Sequence, residues 1–145
     1  MFIEEKIEAL KKQLSDKDLK IRFTEFKAIM EKIESHFLDF SDLNYKYSGW
    51  EKRLVGFEDK PYDNSVEELL NELLLDDKNY WWIYVEPPSY PNSRHRIFDA
   101  SLKGGKSLAN LFYGSPIFIV DKKYFWMIAI DRKKKILRKR TANNA

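Results

Sequence analysis

The chain has 145 residues, enough for one domain (1–145) with its own core, and 43% of them are hydrophobic, which argues against disorder. It contains no cysteine, so disulfides and thiolate metal sites are excluded. The N-terminus is charged at once and lacks an apolar signal segment, and no apolar run approaches the length that spans a bilayer. We therefore expect a cytoplasmic protein with no membrane contact, no metal and no cofactor.

The formal net charge of +3 is unevenly distributed. The segment 132–140 holds seven of the 26 basic residues and no acidic one, which leaves 19 basic against 23 acidic residues elsewhere. The chain is thus a mildly acidic body with a basic segment near its C-terminus. This pattern differs from the broad basic surface of a dedicated nucleic-acid binder.

Residues 2–37 are predicted to form an antiparallel helical hairpin. Their apolar residues recur at helical spacing opposite charged ones, and the break at Ser15–Asp18 offers side-chain oxygens for capping the second helix. A coiled coil between two copies of the chain is the alternative, although each apolar stripe is short for it. The apolar positions are Ile3, Ile7, Leu10, Leu14, Leu19, Phe23, Phe26, Met30, Ile33 and Phe37.

Residues 38–64 show no regular pattern. A third helix is predicted over 65–75, because Ser65 and Glu68 form a capping box ahead of regularly spaced leucines. Further on, Gly105-Lys106-Ser107 resembles the end of a phosphate-binding loop, but Ala100 stands where that motif requires glycine. We therefore expect no nucleotide site there, and a Gly-Gly turn followed by a short helix.

The sheet-forming part is predicted over 80–140. Aromatic and β-branched residues dominate 80–86, 116–121 and 124–131, and only Asp121-Lys122-Lys123 separates the last two runs, which is typical of a hairpin. Weaker strand patterns cover 94–99 and 134–140. The chain is therefore predicted to be α+β, with the helical hairpin and the third helix packed on a mostly antiparallel sheet of four to five strands.

The first of these strands has two different faces. Alternation places Trp81, Ile83 and Val85 on one face and three aromatic residues, two tyrosines and a tryptophan, on the other. Because three helices cannot easily cover both faces, we expect them on the Ile/Val face. The Tyr/Trp face is then roofed by residues 45–57 or left to bind a protein, for which Tyr and Trp are well suited. The candidate partner-binding residues are Tyr80, Trp82, Tyr84, Tyr90, Arg94 and Arg96.

We find no catalytic motif, and the protein is not expected to be an enzyme. The alternative is a small RNA- or DNA-binding or nuclease-like protein, in which a histidine between two arginines acts at a phosphodiester. In this alternative the basic segment touches phosphates; it is otherwise a solvated edge strand or the contact of an acidic protein. The residues concerned are Arg94, His95, Arg96, Arg132, Lys133, Lys134, Lys135, Arg138, Lys139 and Arg140.

The hairpin Phe118–Ile128 reads as a strand, Asp-Lys-Lys, Tyr-Phe-Trp and a second strand. It resembles a hairpin of small bacterial proteins, some of which are similar to immunity proteins that neutralise toxins. The resemblance covers this hairpin alone. It implies a bacterial, cytoplasmic protein that is not an enzyme and acts by binding a toxin. A protein-binding module, of immunity type, is our main hypothesis from the sequence.

Overall fold

The computed structural model describes residues 3–21, 26–37, 58–63, 65–85, 95–113, 115–130 and 135–140. These ranges form four helices and seven strands. The elements in chain order are α1 (Ile3–Gln13), β1 (Leu19–Lys20), α2 (Phe26–Phe37), β2 (Glu58–Pro61), α3 (Val66–Leu73), β3 (Asn79–Val85), β4 (His95–Ser101), α4 (Leu102–Leu111), β5 (Ile117–Val120), β6 (Trp126–Ile130) and β7 (Lys135–Arg140).

The strands form one antiparallel sheet in the order β1-β4-β3-β5-β6-β7-β2. Strand β3 pairs with β4 along its whole length and with β5 on its other side, so the aromatic run is central. The predicted α+β class and antiparallel sheet are confirmed. The five predicted strands are β3 to β7, and one short strand extends the sheet at each edge.

The added strand β2 comes from the region that gave no pattern. It is charged and ends in Pro61, a residue that an edge strand tolerates because one side of its backbone is unpaired. It pairs with β7, Glu58 opposite Arg138. Residues 135–140 therefore pair as predicted, but the interpretation of this segment as an edge strand is wrong, since β7 lies between β6 and β2.

Helices cover both faces of the sheet. Helices α1, α3 and α4 pack on the face that carries Tyr80, Trp82 and Tyr84, which we call the aromatic face. Helix α2 packs on the opposite face, which carries Ile83 and Phe118 and which we call the aliphatic face. Each face forms its own buried core.

The predicted N-terminal helical hairpin is not formed. Ile7 of α1 belongs to the core of the aromatic face, whereas Ile33 and Phe37 of α2 belong to that of the aliphatic face. Leu19, predicted to be helical, lies instead in β1, fully buried and paired with Ala100. An apolar stripe shows that a helix buries one side but not against which partner, so the sequence pattern allowed both arrangements.

Helix α4 lies very close to the sheet because of two glycines. A Cβ on Gly105 would stand 2.0 Å from the Trp82 ring, and one on Gly104 would stand 1.9 Å from the carbonyl oxygen of Asp18. The helix begins just before them: Ser101 Oγ accepts the Gly104 N–H at 3.2 Å and donates to Asp18 Oδ1 at 2.7 Å, which lowers the pKa of Asp18. The predicted Gly-Gly turn ahead of a helix is thus wrong.

Candidate functional site

The three aromatic residues predicted to bind a partner are buried. Trp82 has no exposed surface, and Tyr80 and Tyr84 are almost fully covered. The Trp82 indole donates to the Ala100 carbonyl at 3.0 Å, and the Tyr80 hydroxyl accepts the Leu75 N–H at 3.0 Å. The expectation that the helices lie on the Ile/Val face and leave this face to residues 45–57 or to a partner is therefore corrected: α1, α3 and α4 cover it. Residues 45–57 lie outside the described ranges.

Tyr84 is the least satisfied member of this group. Its ring stacks on Phe112, with the centroids 4.3 Å apart, and meets Phe98 edge-on at 6.1 Å. Its hydroxyl is buried with no hydrogen bond in the described part of the chain, and this burial raises the pKa of the phenol. Tyr84 is therefore a neutral core residue.

The other predicted partner-binding residues lie near the β3–β4 connection. Tyr90 and Arg94 fall outside the described residues. Arg96 Nη2 lies 2.7 Å from Glu4 Oε1, so this arginine joins β4 to α1. Its position in the fold is explained by that ion pair without any partner protein.

The basic groups of the nucleic-acid alternative are not brought together. His95 begins β4, Lys135–Arg140 forms β7, and three strands lie between them in the sheet. At a spacing of about 4.8 Å per strand, the two strands are roughly 19 Å apart. Residues 132–134 lie outside the described ranges. A single phosphate-binding site made from both segments is therefore not formed by the described backbone.

The turn between β5 and β6 has a fixed and unusual backbone. Asp121 Oδ2 accepts the N–H groups of Lys123 and Phe125, at 3.2 and 3.4 Å, and its carbonyl accepts the Tyr124 N–H at 2.8 Å. Tyr124 has a φ of 60°, a left-handed conformation that is rare for a bulky side chain. Such strain persists where the surrounding structure imposes it and often marks a functional segment.

Packing against α2 holds Tyr124 in this conformation. Its ring stacks on His36 with centroids 5.8 Å apart, and Lys32 Nζ lies 5.4 Å from the ring centroid. Partial burial raises the pKa of the Tyr124 phenol. The turn is thus fastened to the end of α2.

The turn presents a large apolar side chain to solvent. Phe125 is 38% exposed, and Leu75, just after α3, is 58% exposed. We call the residues Lys122, Lys123 and Phe125 the turn surface.

The lysines of the turn surface differ in their contacts. Lys122 Nζ lies 2.8 Å from Asp99 Oδ2 and 4.7 Å from the Trp81 ring centroid, so it is held against the sheet. Lys123 is exposed. The sequence singled out this hairpin, but it gave no sign that Phe125 would be exposed between Tyr124 and Trp126, which are both partly buried.

Comparisons with protein-family models, curated proteins and solved structures gave no match. Within the described ranges, no group of three His, Asp or Glu residues is arranged to hold a metal ion. No helix of those ranges is both long and apolar enough to cross a membrane. The geometry of the turn surface is therefore the main guide to function.

Proposed function

We propose that the protein is a non-enzymatic, cytoplasmic protein-binding module of immunity type, and that it contacts its partner through the turn surface. The observation that carries the proposal is a turn held by Asp121 and Tyr124 that exposes Phe125. A partly buried residue with a strained backbone beside an exposed aromatic one is costly to maintain for structure alone. It is expected where a fixed contact shape is useful.

The physical advantage of such a turn is preorganisation. Binding energy concentrates in a few large side chains at the centre of an interface, and ordering a flexible loop weakens association. Here the backbone of Phe125 is already fixed by its hydrogen bond to Asp121.

The immunity-type part of the proposal rests on the hairpin resemblance. The residues that carry it, Phe118–Ile128, include the whole β5–β6 turn. A protein of this type would recognise its toxin through a complementary surface and would not catalyse a reaction on it. A fixed turn with one exposed phenylalanine fits that requirement.

The contact surface can be tested by site-specific photocrosslinking in the cells that express the protein. A photoreactive residue is placed at Phe125 or, as a control, at Lys6, an exposed residue of α1. We expect one discrete covalent product from position 125 and none from position 6. Equal products from both positions would contradict the proposed surface.

The immunity-type activity can be tested by expressing the product of the adjacent gene with and without this protein. We expect growth arrest that the wild type relieves and Phe125→Ala does not, since losing an anchor of about 2 kcal/mol weakens binding roughly 30-fold. Lys6→Ala, at an exposed position of α1, is the control and should relieve the arrest. If the product of the adjacent gene does not arrest growth, the immunity-type activity is contradicted. If Phe125→Ala relieves the arrest as the wild type does, the turn surface is not the contact site.

A further inference from the structure

A concave site lies between α3 and α4, away from the β5–β6 turn. It has a volume of about 570 Å³ and a floor formed by Ile117 of β5 and Ile130 of β6. This volume falls in the range of pockets that hold small molecules, which are largely apolar with a few polar groups. The cleft is independent of the turn surface proposed above.

One row of α4 supplies polar groups to this cleft. Lys106, Asn110 and Tyr113 are spaced by four and three residues, so they share one side of α4 or its continuation, and all three line the cleft. Glu67 of α3 stands opposite, with its Oε1 3.9 Å from Lys106 Nζ. The cleft therefore combines an ammonium group, a carboxylate and an apolar floor.

The lysine side of the cleft is rigid. Gly105 packs directly on Trp82, and Phe112 stacks on Tyr84, so both ends of the row are fixed to the aromatic face. The Lys106 side chain is 27% exposed, whereas that of Glu67 is 73% exposed. At 3.9 Å the two charges do not make a close hydrogen-bonded ion pair, which leaves both able to bind other groups.

The charge pair decides which ligand fits. A simple anion near Lys106 is repelled by Glu67, and a simple cation near Glu67 is repelled by Lys106. A zwitterion with neighbouring charges meets an opposite charge at each end. We propose that the cleft binds a free amino acid with a large apolar side chain, its carboxylate on Lys106, its ammonium on Glu67 and its side chain on Ile117 and Ile130.

The test uses three probes on the whole protein: L-phenylalanine, 3-phenylpropanoate, which lacks the ammonium group, and 2-phenylethylamine, which lacks the carboxylate. Binding is followed by changes in amide NMR shifts. We expect saturable changes around Lys106 and Ile117 with L-phenylalanine, at a Kd on the order of 1 mM or below. Each truncated probe should bind at least about tenfold more weakly, as the loss of one charge contact predicts.

Variants separate ligand binding from a purely structural ion pair. Lys106→Met and Glu67→Gln should each weaken L-phenylalanine binding about tenfold, while Lys103→Met and Glu68→Gln, which change exposed neighbours on the same helices, should not. Unchanged shifts with L-phenylalanine at roughly 10 mM would overturn the proposal. Equal binding of all three probes would also overturn it, because the cleft would then recognise only the phenyl ring.

Discussion

The two faces of the sheet are covered in different ways. Three helices pack on the aromatic face, where Trp82 and Tyr80 direct their polar atoms to backbone groups inside the layer. Of the described helices, α2 alone packs on the aliphatic face. Large aromatic residues in a strand can therefore indicate a buried layer covered by helices and not an open binding face.

This difference also separates the two proposed sites. The α3–α4 cleft lies among the helices that cover the aromatic face. One of them, α4, is fixed to the sheet through contacts with Trp82 and Tyr84. The turn surface lies at the connection between β5 and β6, next to Tyr124, whose ring contacts His36 and Lys32 of α2. The buried side chains of Trp82 and Tyr84 thus hold α4 in place beside the cleft, but they line neither proposed site.

The sharpest comparison of the faces uses two adjacent tryptophans. Trp82→Ala should lower the free energy of unfolding by about 3–5 kcal/mol, because it empties a fully buried site and leaves a buried carbonyl without its indole partner. Trp81→Ala on the aliphatic face should cost only about 1–2 kcal/mol, since Trp81 is partly exposed and capped by Lys122. Urea denaturation measures both; equal losses would contradict the assignment of the faces.

Because α2 is the one described helix on the aliphatic face, we expect it to open more easily than the helices of the aromatic face. Ile33→Ala should cost about 2–4 kcal/mol and should speed amide hydrogen exchange mainly within α2, because that helix can detach without breaking the other layer. Leu70→Ala, an equally buried residue of α3, is the matched control and should speed exchange across the sheet. Uniform exchange in Ile33→Ala would show that both layers open together.

One methyl group added at Gly105 should disturb the close packing of α4 on the sheet. Gly105→Ala should destabilise the protein by about 1–2 kcal/mol, because crowding against Trp82 outweighs the better helix propensity of alanine. In a Trp82→Leu background the same change should cost much less, since the obstructing ring is gone. If the losses of unfolding free energy in the two single variants simply add in the double variant, the methyl group does not clash with Trp82.

The smallest effect concerns the residue that fastens α2 to the turn. Tyr124→Gly and Tyr124→Ala both lose the His36 stack, but glycine tolerates the left-handed backbone. The glycine variant should therefore be more stable than the alanine variant by about 1 kcal/mol. Equal thermal stability of the two variants would mean that the backbone at Tyr124 relaxes to an ordinary conformation.

Local patterns were sufficient for the class of the fold and for five strands. Apolar runs such as Ile117–Val120 are visible without knowledge of the rest of the chain. The positions of the helices were not predictable, because the stripes of Ile7 and Ile33 fit either face of a sheet. Strand β2 was missed because Glu58–Pro61 has no apolar residue and becomes a strand only through its pairing with β7.

The candidate sites were less visible than the fold. The hairpin of the turn surface was recognised by its sequence, but the exposure of Phe125 depends on how Tyr124 is turned toward α2. Lys106 was noted only as part of an incomplete phosphate-loop motif. Its role in the cleft depends on Glu67, which lies 39 positions earlier and meets it only through the packing of α3 on α4.

Both edges of the sheet are completed by strands from the first half of the chain. Leu19 pairs with Ala100, and Glu58 pairs with Arg138, each across about 80 residues. Pairings this distant form late, since a long loop must close before any contact is gained. On the ribosome the first edge stays open until Ala100 has emerged and the second until Arg138 has. Strands β1 and β2 therefore wait unpaired for their partners through most of synthesis.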